Sequence, residues 1–125
     1  DALVYPWGNE WNPDYANWAG TVPDVDATLN VDSFPAGASW VGALNLSGNV
    51  WEWTRTIYDQ ERFPYPYDPE DGREGMDADG PRRVTRGGSW DYSDSSLRAA
   101  NRYGFNPDND ISYVGFRCGF VHPGG

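Results

Sequence analysis

Seven tryptophans, eight tyrosines and five phenylalanines are spread through 125 residues, with Gly, Pro, Asn and Asp set between them. In the run Y-P-W-G-N-E-W-N-P-D-Y-A-N-W, residues 5–18, the rings recur at neither the 3.6-residue period of a helix nor the two-residue period of a strand. Irregular backbone pinned by buried rings is the expected result. Each large ring can bury roughly 150–250 Å², so a chain poor in Leu and Ile can still close a core. A chain of this length closes one core rather than two, and residues 1–125 are expected to form a single domain.

Four stretches predict strands. In V-W-E-W-T-R-T-I-Y, residues 50–58, tryptophans and β-branched residues favour a strand, with Glu52 on the face opposite Trp51 and Trp53. A carboxylate placed there is either solvated or held by a partner. Residues 83–90 read as a second strand ending at Gly87-Gly88, where the missing Cβ atoms permit a bulge or close backbone approach. Residues 96–102 and 113–120 read as two more. Between the first two strands, residues 59–82 are rich in Pro and then in acid, which predicts a solvated, insertion-like loop. Its acidic half lacks the D-x-[DN]-x-[DN]-G spacing of an EF-hand. Short strands joined by long loops predict an α+β fold, mostly irregular, around a small twisted antiparallel β-sheet. Trp51, Trp53, Trp90, Phe116 and Phe120 are the expected core.

Charge narrows the partners. The net charge is −10, the isoelectric point is near 4.2 and there is no lysine, so the chain carries no electrostatic footprint for nucleic acid or for an anionic membrane. The same acidity suits calcium, although surplus Asp and Glu more often solubilise a surface. A single cysteine, Cys118, excludes an internal disulfide and any multi-cysteine metal site, and its place on a predicted strand suggests a partly buried structural thiol. The single histidine, His122, lies in the terminal V-H-P-G-G, where it is a poor partner for Ser89 or Ser93 in a nucleophilic site. No apolar run approaches the roughly 18 residues of a membrane span, and nothing indicates a compartment.

The motifs G-N-V-W-E-W, R-V-T-R-G-G-S-W, L-R-A-A-N-R and V-G-F-R-C, together with Y-P-W-G-N, Y-A-N-W and V-D-S-F-P upstream, resemble the C-terminal half of the formylglycine-generating enzyme (sulfatase-modifying factor) family. That resemblance implies a C-type-lectin-like fold with much irregular loop stapled by calcium, and a domain whose N-terminal segment is not represented in these residues. By the same resemblance, one calcium site would use Asn45, the carbonyls of Gly48 and Val50, and Glu52. A second would use Asn17, the carbonyl of Trp18, and Asp24 or Asp26. The residues leave other roles open: Asx-turn chemistry for Asn45 and Asn49, and an arginine partner for Glu52.

The resemblance also frames function. Oxidases of this family hold copper with two cysteine thiolates just after R-G-G-S-[YFW], since Cu(I) selects sulfur. Here W-D-Y-S-D-S-S-L-R follows, with Asp91 and Tyr92 near the first expected cysteine. Iron-dependent relatives take histidines from another domain. A non-catalytic binding module is therefore expected, the alternative being a truncated or accessory part of a formylglycine-generating-enzyme-like or non-haem iron oxidoreductase. The same fold displays the variable regions of diversity-generating retroelement proteins. This sequence fits that frame, with Asp91, Tyr92, Ser93, then Tyr103, Gly104, Phe105, Asn106, then Asp110, Ile111, Ser112, Tyr113 in the variable slots. Tyr, Ser, Gly and Asn are residues that binding surfaces favour. Tyr92, Tyr103, Phe105 and Tyr113 are expected to form one aromatic patch, with Phe105 as readily a core ring, while Arg98, Arg102 and Arg117 hold loops. The expected partners are a protein or cell-surface ligand and the remainder of a longer parent chain.

Overall fold

The computed structural model describes residues 2–21, 26–76 and 82–120. Its centre is a four-stranded sheet of β1 (Trp51–Ile57), β2 (Arg83–Arg86), β3 (Arg102–Phe105) and β4 (Val114–Gly115), in the order β3-β2-β1-β4. Alternation along β1 turns Trp51 fully inward, and Ile57 closes its far end. Between them the register with β2 shifts, from Trp53 opposite Thr85 to Ile57 opposite Arg83. The helical component among the described residues is three 3₁₀ turns, Pro13–Tyr15, Pro35–Gly37 and Asp94–Leu97. None of the described helices is long and apolar enough to cross a membrane.

β2 ends where expected. At Gly87, φ is +97°, and a Cβ there would stand 2.7 Å from the Leu46 carbonyl oxygen. Only glycine fits both constraints.

Three expectations are corrected. The sheet is antiparallel from β3 to β1, but β4 pairs with β1 in parallel. Residues 106–113 join opposite edges of the sheet, so the chain crosses instead of turning back. The strand expected at residues 96–102 is a 3₁₀ turn over Asp94–Leu97 that buries Leu97, and the strand begins only at Arg102. Local bonds take its backbone groups: Ser95 N donates to Asp94 Oδ1 and Asn101 Nδ2 to the Ser96 carbonyl. The strand expected at residues 113–120 shrinks to two residues, because beyond Gly115 it is the Arg117 side chain that reaches β1, through Glu52. Phe116 and Phe120 are consequently 76% and 86% exposed, not core, and Cys118 is exposed too. Trp53 and Trp90 are half-buried.

The loop after β1 is organised rather than loosely solvated. Arg73 is buried to 1% exposure, and its guanidinium forks onto Asp71, donates to the Pro64 carbonyl and lies 4.7 Å from the Tyr67 ring centre. Ile57 N donates to the Arg73 carbonyl at 2.8 Å, and Glu74 accepts from Thr56 and Tyr67, which ties the loop to β1.

The hydrogen bond and charge of Arg73 hold the Asp71 carboxyl below the usual aspartate range. The anchoring is therefore complete above about pH 4 and lost as pH falls through the depressed value. Hydrogen exchange at the Ile57 amide should stay slow down to that point and accelerate below it. Arg73→Met should expose the loop at every pH and remove the acid transition.

Candidate recognition face

Four stretches far apart in sequence meet on the Trp51 side of the sheet. Trp51 lies edge-on to Tyr92 at 5.3 Å between ring centres and beside Tyr103 at 5.9 Å. Tyr92 contacts Tyr113 at 5.5 Å, and Tyr103 packs on Phe105 at 4.9 Å. Such offset and edge-on pairs are the favoured geometries of aromatic rings. Tyr103 is 46% exposed and Tyr92 and Tyr113 half-exposed, so one edge of the cluster faces solvent while Trp51 is its floor.

Backbone bonds fix the loops that carry the cluster. Ala19 N donates to the Tyr92 carbonyl, Tyr92 N to the Ser89 carbonyl, and Trp51 N to the Tyr113 carbonyl. Asp91 and Ser93, which flank Tyr92 in the chain, and Asp110 and Ser112, which precede Tyr113, are exposed; Asn106 and Ile111 are half-buried. Asn106 Oδ1 caps its own turn by accepting from Asp108 N. Two slots are corrected. Phe105 is a core ring at 7% exposure, and Gly104 is buried with the Tyr58 ring where its Cβ would be, because adjacent strand residues point to opposite faces. The floor residue Trp51 was legible in sequence only as core. The Tyr92 hydroxyl is pushed up to about 12, first by burial and then by the neighbouring Tyr113 hydroxyl. A cavity of about 520 Å³ opens elsewhere, among Leu3, Trp40, Val41 and Leu46, and contains none of these residues. The ring surface is open.

Behind the face lies a buried amide knot. Asn49, at φ +68°, accepts at Oδ1 from Asn17 Nδ2 and Leu29 N and donates from Nδ2 to the Leu29 carbonyl. Its main chain bonds the Asn17 carbonyl and Trp90 N. Next to it Gly48, at φ +82°, lies so close to Asn17 that a Cβ would stand 2.5 Å from that carbonyl oxygen.

The residues named for calcium divide into two arrangements. Arg117 forks onto both oxygens of Glu52, at 2.6–2.9 Å, and donates to the Asn45 carbonyl at 2.9 Å. The Asn45 amide turns away to the Val31 carbonyl, and Val50 is half-buried. A guanidinium thus supplies the positive charge that Glu52 needs, and this donor set, so arranged, does not fit a metal ion. Asn17 differs: Nδ2 donates to the Ala27 carbonyl, yet Oδ1 is buried without a protein partner, an arrangement that fits a cation. Trp18, half-buried, is adjacent; Asp26 is exposed and Asp24 lies outside the described residues. Trp51 Nε1, Trp90 Nε1 and Ser89 Oγ are also buried without a protein partner. Among the described residues no three His, Cys, Asp or Glu side chains gather to hold a metal.

Residues 1–120 match the sulfatase-modifying factor enzyme 1-like domain. The chain belongs to that family. Relatives of this sulfatase-modifying-factor-like chain include the inactive C-alpha-formylglycine-generating enzyme 2 of Bos taurus, 35% identical over 92% of this chain and 36% of that protein. The formylglycine-generating enzyme of Mus musculus is 34% identical over 95% of this chain and 34% of that one. The chain thus spans about a third of the length of these relatives. Among solved structures, Treponema denticola variable protein 1 superposes with a TM-score of 0.63 at 25% identity, covering 82% of this chain and 34% of that chain. PvdO from Pseudomonas aeruginosa gives 0.68 at 26% identity, covering 90% and 41%. The small curled mixed sheet and sparse helix of this chain are therefore the C-type-lectin-like fold of the formylglycine-generating enzyme type.

Two predictions concern this framework. Asn49→Ala removes three side-chain hydrogen bonds from a buried site and should cost about 3 kcal/mol in urea unfolding, whereas Asn45→Ala, with one such bond, should cost about 1 kcal/mol. For Tyr92 the folded value lies above the ordinary 10. Its contribution to stability is complete below pH 10 and lost as pH rises towards about 12. An ultraviolet titration of the folded protein should show a tyrosine ionising towards about pH 12 that is absent in Tyr92→Phe.

Proposed function

We propose that this chain is a non-catalytic recognition module whose Tyr92, Tyr103 and Tyr113 surface, with Asp91, Ser93, Asn106, Asp110, Ile111 and Ser112 around it, binds a protein or cell-surface ligand. The observation that carries the reading is the convergence of residues 92, 103 and 113 onto one ring cluster above Trp51. Rigid amphipathic rings give contact area at little rotamer cost, and the neighbouring Ser, Asn and Asp give adaptable hydrogen bonding. Asp91 and Tyr92 stand near the place expected for a catalytic cysteine, and the one thiol, Cys118, is exposed at the other end of the segment. Relatives in Bos taurus and Mus musculus carry the name inactive, and one structural neighbour is a variable protein.

The retroelement form of this reading rests on the slot residues Asp, Tyr, Ser, Gly, Phe, Asn and Ile, all reachable by adenine mutation of Asn codons. Sequencing sibling copies should find substitutions concentrated at 91–93, 103–106 and 110–113; an even scatter along the chain would sink it. A second reading, an accessory part of an oxidoreductase, is favoured by relatives named formylglycine-generating enzyme and, in Mycobacterium tuberculosis, hercynine oxygenase. Copper or iron bound at Cys118 would support it. Calcium belongs to the scaffold in either reading. The orphaned Asn17 Oδ1 with the Trp18 carbonyl would hold the ion and stiffen the turn, and chelation should lower the melting temperature in the parent protein but not in Asn17→Ala.

The recognition reading is tested by screening the protein against immobilised cell-surface proteins. The double variant Tyr103→Ala, Tyr113→Ala should lose at least tenfold in affinity for any ligand found, about 1.4 kcal/mol, with its fold intact by circular dichroism. Unchanged binding in that variant would place recognition elsewhere.

A further inference from the structure

The recognition reading leaves open the chemistry of the partner, and the distribution of charge decides it. Several aromatic faces of this chain are covered by arginine: Arg62 and Arg73 lie over Phe63, Arg73 over Tyr67, Arg82 over Tyr58 and Arg102 over Tyr65. None of these cations lies over Tyr92, Tyr103 or Tyr113, whose ring partners are Trp51, Phe105 and one another. Arg86 and Arg117 are committed elsewhere, to the Ala99 carbonyl and to Glu52 and the Asn45 carbonyl.

The carboxylates divide in the same way. The described residues contain two salt bridges, Arg73–Asp71 and Arg117–Glu52, and neither is at the ring face. Asp91, next to Tyr92 in the chain, and Asp110, three residues before Tyr113, are exposed, with Asp94 and Asp108 in the same loops, and none of the four forms a salt bridge with an arginine among the described residues. The chain as a whole carries a net charge of −10.

We propose that the face takes a cationic protein segment, one that lays arginine or lysine side chains over Tyr103 and its neighbours while Asp91 and Asp110 pair with their charges. The inference rests on the recognition reading and adds the class of partner. Open ring faces attract cations through the ring quadrupole, arginine most often, and unpaired carboxylates at their rim steer and orient the same groups. An acidic or neutral partner would leave these carboxylates repelled or desolvated without a counter-charge.

The test uses three peptides of equal length, acetyl-Gly-Arg-Gly-Arg-Gly-amide and its Glu and Gln counterparts, titrated into the isotope-labelled protein and followed by amide chemical shifts. The arginine peptide should saturably shift the amides of Tyr92, Tyr103 and Tyr113. Its affinity should fall about tenfold in Asp91→Asn, Asp110→Asn, and by a similar factor between low and moderately high salt. Equal shifts from the Glu or Gln peptide would overturn the cationic preference and leave recognition standing. Shifts from the arginine peptide confined to the acidic loop at residues 68–71 would overturn the proposal, as would no shift at the ring face from any peptide. The immobilised-protein screen with the double tyrosine variant judges the recognition reading independently.

Discussion

Asn49 is the residue on which the irregular part of this molecule depends. It is a short amide in left-handed backbone, buried at 8% exposure, and its side chain and main chain together bond Asn17, Leu29 and Trp90. Each of those segments is loop, with no ladder of its own to satisfy backbone groups. A buried loop is tolerable only where such groups find partners, and one asparagine provides several. The floor of the ring face, Trp51, follows two residues later, so the same knot that joins the loops sets the position of the sheet.

Arginine plays a comparable part at the periphery. Arg73 is enclosed by its own loop, Arg117 spans from the edge of the sheet to Glu52 and the Asn45 carbonyl, and Arg86 and Arg102 hold Ala99 and Tyr65. A planar, permanently charged fork suits these tasks, because it satisfies two or three oxygens at once and stacks on rings. With no lysine and nine arginines, the chain commits several of its cations to its own carbonyls, carboxylates and rings, and of these Arg73 alone among the described residues is fully buried.

The side chains set into this scaffold differ from those that the catalytic resemblance implies. Near the position where oxidases of this family are expected to place a thiolate, Tyr92 is packed edge-on against Trp51 and hydrogen-bonded through its backbone to Ala19 and Ser89. A tyrosine held in that way supplies rigid area, not a soft ligand. Family membership is thus a statement about fold and framework, and the chemistry belongs to the side chains set into it.

By itself the sequence determined the family, the central strand β1, the stop at Gly87 and the tyrosines of the face, because each is written in local signals: ring alternation, paired glycines and a dense run of motif residues. Glu52 was legible as a carboxylate needing a partner, with arginine among the open choices. Only the tertiary structure decided that the partner is Arg117, sixty-five positions away. It likewise decided that Phe105 is covered while Tyr103, on the same face, stays partly open, that Gly104 is buried on the opposite face against Tyr58, that Asn49 is a buried knot rather than a turn residue, and that Arg73 is the heart of a loop that reads as solvated. Burial and long-range pairing depend on which segments meet. A strand pattern does not say where a strand ends when only two residues find a neighbour, and so Phe116 and Phe120, apolar in composition, stand in solvent.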